Sequence, residues 1–427
     1  MKLSKQTEKL KNGMVIISHN LSKLHSVSIS LNFKVGSLYE DDSNNGITHL
    51  CEHLFFRQLN DLSQKELYLK MQMLGCEMTG KTSTDYVSFK MKVVPEFFKD
   101  AITLMTKILD DFSWSDERIE AEKRVVLKQI ENKSYSFDNW VDEYYFENTK
   151  HSMPIMGNSK TVEGLASNEI NAWKKKYFNC SNACLIVTGN YDKEYFESVK
   201  NTINQLPASE YANELNIELP QNFCSRDNSN RYYFAECDCD SCEVVVFFDV
   251  NNTVNPEAMR LLTSILCEGC GSKLGIAMRE ENAVTDDIYS SLTSYCDFSR
   301  LYISYTVHKK LLYKSLRIFF DTVNQIKHGI SQEEYLSSIC FFTKNQLFDL
   351  DDSDALNYSY HINDIVFNNT VSEPHKLKKL YGAISIDDLL LCANTVFCKD
   401  NLAFLIETSK KPAKVERKVN DILKGFD

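Results

Sequence analysis

The chain has 427 residues, of which 43% are hydrophobic and 25% charged, with a net charge of -11 at neutral pH. That composition excludes a disordered or fibrous chain, and the acidic balance excludes a surface built to neutralise nucleic-acid phosphates. One hydrophobic core does not serve a chain this long, so two domains of about 200 residues each are expected. No apolar run of the secretory-signal kind precedes Asn20, and no stretch approaches the roughly 18 apolar residues of a membrane span. A cytoplasmic protein without a membrane span follows. The 14 cysteines read as reduced, mostly buried small residues rather than a disulfide framework.

Residues Met14 to Ile17, and then Val27, Ile29, Leu31, Phe33 and Val35, recur with the period of two expected of strands with one buried face. A second alternating run, Val87, Phe89, Met91 and Val93, stops at Pro95. Between them lie a helical stretch carrying His49 and His53 and another over Glu66 to Leu74. After Pro95, the residues Phe98, Ala101, Ile102, Met105, Ile108 and Leu109 fall at helical spacing. Ser115-Asp116-Glu117 then opens a long helix to about Lys133, with carboxylates where the helix dipole favours them.

A helix ends over Trp173 to Phe178, and Ala183 to Asn190 reads as a buried strand running into a turn. Residues 207–230, rich in Asn, Ser, Glu and Pro, form a linker between an N-terminal domain, 1–206, and a C-terminal domain, 231–427. The second half repeats the first, with strands over Glu243 to Val250, Leu301 to Val307 and Asn401 to Glu407. Helices cover Pro256 to Leu266 and Leu311 to Ile326. The fold class is therefore α+β, with two similar domains, each a mostly antiparallel sheet packed with helices.

The segment that carries chemistry is Gly46-Ile47-Thr48-His49-Leu50-Cys51-Glu52-His53-Leu54-Phe55-Phe56. Helical positions four apart share a face, so His49 and His53 can turn their imidazoles to one divalent ion with Glu52 alongside. Zinc in such a site acidifies water and polarises a peptide carbonyl, and Glu52 takes the proton and passes it to the leaving amine. Two histidines and a glutamate also fall together by chance on solvated helix faces. This group differs in following the Asn44-Asn45-Gly46 turn directly, with Leu50, Leu54 and Phe55 to bury the helix.

With these residues the chain resembles the pitrilysin or insulinase-type zinc metallopeptidases, the H-x-x-E-H inverzincins. The likeness runs nearly the full length, through Leu10-Lys11-Asn12-Gly13-Met14, Phe33 to Glu40, Ile119 to Leu127, Pro154-Ile155-Met156-Gly157, Thr188 to Asp192 and Gly271 to Glu280. It implies LuxS-like or processing-peptidase-like domains. The family's third zinc ligand, a Glu, falls on Gln129, and the acidic residue that orders the site falls on Glu122. An amide oxygen coordinates zinc but brings no charge. Glu131 is turned away from that position.

The family's substrate-binding Arg matches Arg279, but the Tyr seven residues later, which steadies the oxyanion, is Asp286, and Tyr289 stands nearby. Where the family's substrate-binding edge strand carries Asn-Ala-Tyr-Thr, this chain reads Thr79-Gly80-Lys81-Thr82. The resemblance implies a zinc endopeptidase subunit that cleaves peptides or precursor and leader peptides. It also implies a hetero-dimer, or homo-dimer, with a related chain supplying the Arg and Tyr clamp, and an extended peptide adding to a sheet edge near the zinc. The alternative is a non-catalytic peptide-binding or scaffolding subunit with a decayed metal site, to which Gln129 and Asp286 both point.

Cys237, Cys239, Cys242, Cys267 and Cys270 have spacings that could hold a structural zinc, but C-x-C-x-x-C is irregular for a zinc ribbon and they are read as non-ligating. Cys51 reads as a small apolar residue behind the helix. The isolated histidines His19, His25, His151, His308, His328, His361 and His375 read as surface or satisfied core residues, and Trp173 to Tyr177, with its three lysines, as a solvated helix face.

Overall fold

In a computed structural model of the protein, the alternating run Val27–Phe33 is the central strand of a six-stranded sheet. The structure describes residues 5–132, 146, 150–210, 231–236, 238–251, 253–295, 298–360 and 374–426. The linker expected at 207–230 lies, from residue 211 on, outside the described residues, as does Cys237. The chain divides into two units, one of 1–218 with 348–373 and the other of 219–347 with 374–427.

The first unit contains β1 (Gln6–Lys9), β2 (Val15–Asn20), β3 (Val27–Phe33), α1 (Ile47–Arg57) and a short hairpin of β4 (Gln58–Leu59) and β5 (Leu62–Ser63). There follow α2 (Gln64–Met73), β6 (Met78–Thr82), β7 (Val87–Val93), α3 (Phe98–Thr106), α4 (Asp116–Asn132) and, farther on, β8 (Ala183–Gly189). The sheet order is β1-β2-β8-β3-β7-β6, with β2 and β8 parallel and the other neighbours antiparallel. Strand β6 pairs only with β7, so its outer edge has no partner strand among the described residues.

The second unit holds β9 (Tyr232–Glu236), β10 (Ser241–Asn251), β11 (Ile288–Ser294), β12 (Phe298–His308) and β13 (Leu402–Thr408), in the order β11-β12-β10-β13-β9. Here β13 and β9 are the parallel pair. Strand for strand this is the order β6-β7-β3-β8-β2 of the first unit, parallel pair included, so the expected two similar, mostly antiparallel domains are what the chain builds. Apolar faces of both sheets pack on helices, with Phe33, Phe55 and Phe89 in one core and Phe248, Phe320 and Phe397 in the other.

Strand β3 departs from the expected single buried face, because all seven of its residues are buried. Its apolar side, Val27, Ile29, Leu31 and Phe33, enters the core. The other side, Ser28, Ser30 and Asn32, lies under a helix from far along the chain, Ser353–Tyr360. Buried polar groups need partners, and this helix carries matching ones. Asn357 donates to Ser28 O at 3.2 Å and Ile186 O at 3.1 Å, and accepts from Ser30 Oγ at 2.6 Å. Thr188 Oγ1 donates to Ser353 O at 2.7 Å, and His19 Nδ1 meets the Tyr360 hydroxyl at 2.6 Å. Leu356 and Tyr360 pack on Ile17, Leu21 and Ile186. A single cut at the linker places this helix in a C-terminal domain of 231–427, whereas it belongs to the first unit because the polar face of β3 and β8 requires its cover.

Asn357→Ala is expected to lower stability by about 2–4 kcal/mol, since it strands the Ser30 hydroxyl and removes two donors at once. Denaturant unfolding followed by circular dichroism reads this as a lower midpoint at unchanged slope.

Candidate metal centre

Helix α1 begins at Gly46, whose φ of 96° and missing side chain leave it unable to cap the helix by the usual hydroxyl or carboxylate. A Cβ at Gly46 would meet Met156 O at 2.7 Å, and one at Gly157 would meet Asn45 O at 2.4 Å, so the two chain segments touch through their glycines. The cap comes instead from Glu40. One carboxylate oxygen accepts from Gly46 N at 2.8 Å and Asn45 Nδ2 at 2.9 Å, and the other from Thr48 N at 2.9 Å. Burial pushes the Glu40 carboxyl up, against these hydrogen bonds. Farther along the helix, Phe55 is fully buried among Phe89, Trp114 and Phe178, with ring centroids 5.0–5.2 Å away. Cys51 is buried beneath the helix as expected, and burial pushes its thiol far up.

Against this fixed α1 lies α4, which brings Glu122 and Gln129 to the two histidines. The His49 and His53 rings sit 4.6 Å apart, centroid to centroid. His53 Nδ1 is 3.0 Å from Glu122 Oε1. An ionised carboxylate only accepts, so in the neutral imidazole Nδ1 carries the hydrogen and Nε2 keeps its lone pair. Glu122 Oε2 accepts in turn from Arg57 Nε at 2.6 Å, and the same Arg57 reaches Gln64 Oε1 at 3.1 Å. Burial raises the Glu122 carboxyl, but the His53 and Arg57 hydrogen bonds and charges outweigh that and hold it below its ordinary value. Both oxygens are engaged, so Glu122 holds His53 and Arg57 and is not free to replace the carboxylate expected where Gln129 stands.

His49 Nε2 faces Gln129 Oε1 at 3.5 Å. Its Nδ1 is buried without a hydrogen-bond partner and lies 3.5 Å from Glu52 Oε2. Two donors on a tetrahedral zinc, each about 2.1 Å from it, stand roughly 3.4 Å apart, so the Nε2 to Oε1 separation suits a shared cation. The chemistry of the set, an imidazole nitrogen facing an amide oxygen with a second imidazole ring beside them, suits a divalent ion, in a set without a carboxylate. Among the described residues no three His, Cys, Asp or Glu side chains gather as a metal-holding group, and the further oxygen beside His49 Nε2 is the Gln129 amide.

Glu52 is buried at the site's edge, with Thr82 Oγ1 donating to its Oε2 at 3.0 Å. Its Oε1 occupies the space a side chain at Gly80 would need, because a Cβ there would come within 2.0 Å of it. The structure therefore brings together His49, Glu52, His53, Glu122 and Gln129. Arg57 and Glu40 join them without having been singled out from the sequence, and Gly80 and Thr82, read there only as part of the edge strand, join them too. Arg57 had a usable signal, an arginine one helical turn after His53.

Arg279 is presented by the second unit on a short helical turn, Gly275–Glu280, exposed and 3.6 Å from the neighbouring Glu280 carboxylate. Asp286 precedes β11 rather than lying in it, and Tyr289 is exposed on that strand. The three lysines of Trp173 to Tyr177 are not all solvated. Lys174 is buried, donates to Asp110 O and Phe112 O at 3.2 and 2.7 Å, and sits 3.7 Å above the Phe112 ring. Burial pushes its ammonium down to about 8. Its neighbour Trp173 donates to Thr48 Oγ1 at 3.1 Å, on α1 itself.

Two family profiles match the chain, "Insulinase (Peptidase family M16)" over residues 15–158 and "Peptidase M16 inactive domain" over 165–338. An uncharacterized zinc protease of Rickettsia felis is 24% identical over 408 residues, 93% of this chain and 96% of the relative. The mitochondrial-processing peptidase subunit beta of Saccharomyces cerevisiae is 24% identical over 193 residues, 44% of this chain and 42% of its own. A solved protease from Helicobacter pylori shares the fold with a TM-score of 0.78 at 17% identity, over 95% of this chain and 99% of that one.

The Arg57 fork fixes α1 to α4, and removing it leaves Glu122 charged and half-paired. Arg57→Ala is expected to cost about 1.5–3 kcal/mol of stability, and Arg57→Lys to restore less than half, since an ammonium cannot serve Glu122 and Gln64 in the same planar arrangement. Thermal melting of the three proteins side by side checks it.

Proposed function

We propose that this chain, which belongs to the insulinase family of peptidases, peptidase family M16, is a zinc-dependent endopeptidase subunit that cuts peptides or precursor peptides. The observation that carries this reading is that His49 Nε2 faces Gln129 Oε1 at 3.5 Å, with the His53 ring 4.6 Å from the His49 ring and the Glu52 carboxylate beside them. His49, His53 and Gln129 would hold the metal. When bound there, zinc supplies a Lewis acid that makes water acidic near neutral pH and polarises a peptide carbonyl.

The chain's own residues do the rest. Glu52 takes the proton released from water, and Thr82, donating to its Oε2, keeps the carboxylate in place. It then returns that proton to the leaving amine. Glu122 and Arg57 hold His53 in the tautomer whose Nε2 is available. The outer edge of β6, which ends at Thr82 and has no partner strand among the described residues, supports the addition of an extended peptide as a further strand. Oxyanion support is assigned to a second, related chain, because Asp286 has no group that steadies a developing negative charge. The yeast relative's printed name as a subunit supports a partnered chain.

A second reading, a peptide-binding subunit without hydrolytic activity, draws on one specific observation, the neutral amide of Gln129 in the ligand position. Metal analysis separates the two. The peptidase reading expects close to one zinc per chain after loading, and less than about a tenth of an equivalent, with or without a partner chain, sinks it. Glu52→Gln is expected to lower kcat by roughly 10²- to 10⁴-fold while zinc content stays unchanged. Gln129→Glu is expected to raise zinc affinity in competition with a chelator, since it returns a charged oxygen to the set.

A further inference from the structure

Strand β6 has two sides of different chemistry. Gly80 and Thr82 pair with Phe89 and Val87 of β7, which enter the core, and both lie against the Glu52 carboxylate. Thr79 and Lys81 pair with Lys90 and Ser88, so they stand on the opposite side of the sheet. Lys90 has its charge met there by Asp354 at 2.7 Å. Lys81 is exposed, with its ammonium 5.8 Å from the centre of the Tyr86 ring, and makes no ion pair among the described residues. Of the acids close to it in sequence, Asp85 is buried, and Glu77 precedes the strand, about 13 Å off along an extended chain. A peptide added at the outer edge of β6 alternates its side chains between these two sides, whichever way it runs. Residues directly opposed on neighbouring strands bring their Cβ atoms to about 4.5–5.5 Å, so a carboxylate on the Lys81 side comes within reach of that ammonium. On the other side Gly80 offers no side chain, and the peptide's alternate residues meet Glu52 and Thr82.

We propose that Lys81 is a specificity-determining residue, which selects peptides with an acidic side chain next to the residue turned toward Glu52. The proposal rests on the reading of β6 as the strand to which a peptide adds, and it names the substrate class, extended peptides in which acidic and uncharged residues alternate. The chain carries a net charge of -11, so its overall field repels acidic peptides. The preference therefore comes from strand register. An opposite charge directly across from Lys81 stabilises the added strand, and a like charge there destabilises it.

The test uses the full chain with Glu52→Gln, so that peptides bind without being cut, loaded with zinc and followed by fluorescence anisotropy. Two labelled peptides have the same length, composition and charge. In one, Glu and Thr alternate; in the other they come in pairs, Glu-Glu-Thr-Thr. Only the first sets all its acids on one side of a strand. It is expected to bind roughly two- to fivefold more tightly at low salt, with the difference fading near 1 M salt. Lys81→Gln is expected to abolish that difference, and Lys81→Glu to transfer it to peptides in which Lys replaces Glu. Lys65→Gln, at an exposed position of α2, should leave it intact. Equal binding of the two peptides, or a difference that survives Lys81→Gln, overturns the selection by Lys81 and leaves the peptidase reading standing. If neither peptide binds, strand addition at β6 fails and the selection fails with it, while zinc content still reads the metal centre separately. If Lys81→Gln leaves peptide binding as it was but makes the chain self-associate in sedimentation, Lys81 guards an open sheet edge against other chains, and the proposal is overturned.

Discussion

The carboxylate of Glu40 does for α1 what the helix's own first residue cannot. Gly46 is forced by the approach of Met156 and Gly157 to be a glycine with positive φ, so it has no side chain to offer the free amides of the first turn. Glu40 reaches across six residues to take two of them and the Asn45 amide, and it places negative charge at the positive end of the helix dipole. Every distance at the site is measured from this end. At the other end Arg57 binds Glu122, so α1 is pinned twice, once to the loop before it and once to α4. Helix α4 is itself held by the buried Lys123, which donates to Glu163 O and Leu165 O. The candidate centre is thus the product of two helices locked against each other, with no flexible loop supplying a donor.

The charge balance of this arrangement is unusual for a cation site. In the proposed reading its three donors are neutral, the Glu122 carboxylate has its charge met by Arg57, and Glu52 is the remaining carboxylate beside His49. The metal's positive charge would therefore be less neutralised by protein than in a set with a carboxylate ligand. In that reading, weaker retention of the ion follows from the same cause.

Much of this was legible in the sequence. The spacing of His49, Glu52 and His53 on a buried helix, the acidic start of α4, and the strand patterns that recur in both halves each rest on local periodicity, and local periodicity survives folding. Glu40, Thr82 and Gly80 were not legible, because each acts by approaching a residue 6 to 30 positions away at a distance no periodicity encodes. Lys174 was misread for a related reason. A lysine among lysines looks solvated, yet its stem and head are enclosed by Phe112 and two carbonyls from another part of the chain. The polar face of β3 misled in the same way, since serine and asparagine in alternation read as solvent-facing until a helix from the 350s proves to carry the complementary groups.

That last helix has a consequence for how the protein comes into being. Residues 5–210 leave the ribosome with Ser28, Ser30, Asn32 and Thr188 on an open sheet face, and the segment that closes it is synthesised some 145 residues later. At bacterial or eukaryotic elongation rates of about 5–20 residues per second, the first unit waits roughly 7 to 30 seconds incomplete while the second sheet is being made. Its final closure is a contact of very long sequence separation, the slowest kind to form. The helix Ser353–Tyr360 therefore ties completion of the half that bears the histidines to synthesis of nearly the whole chain.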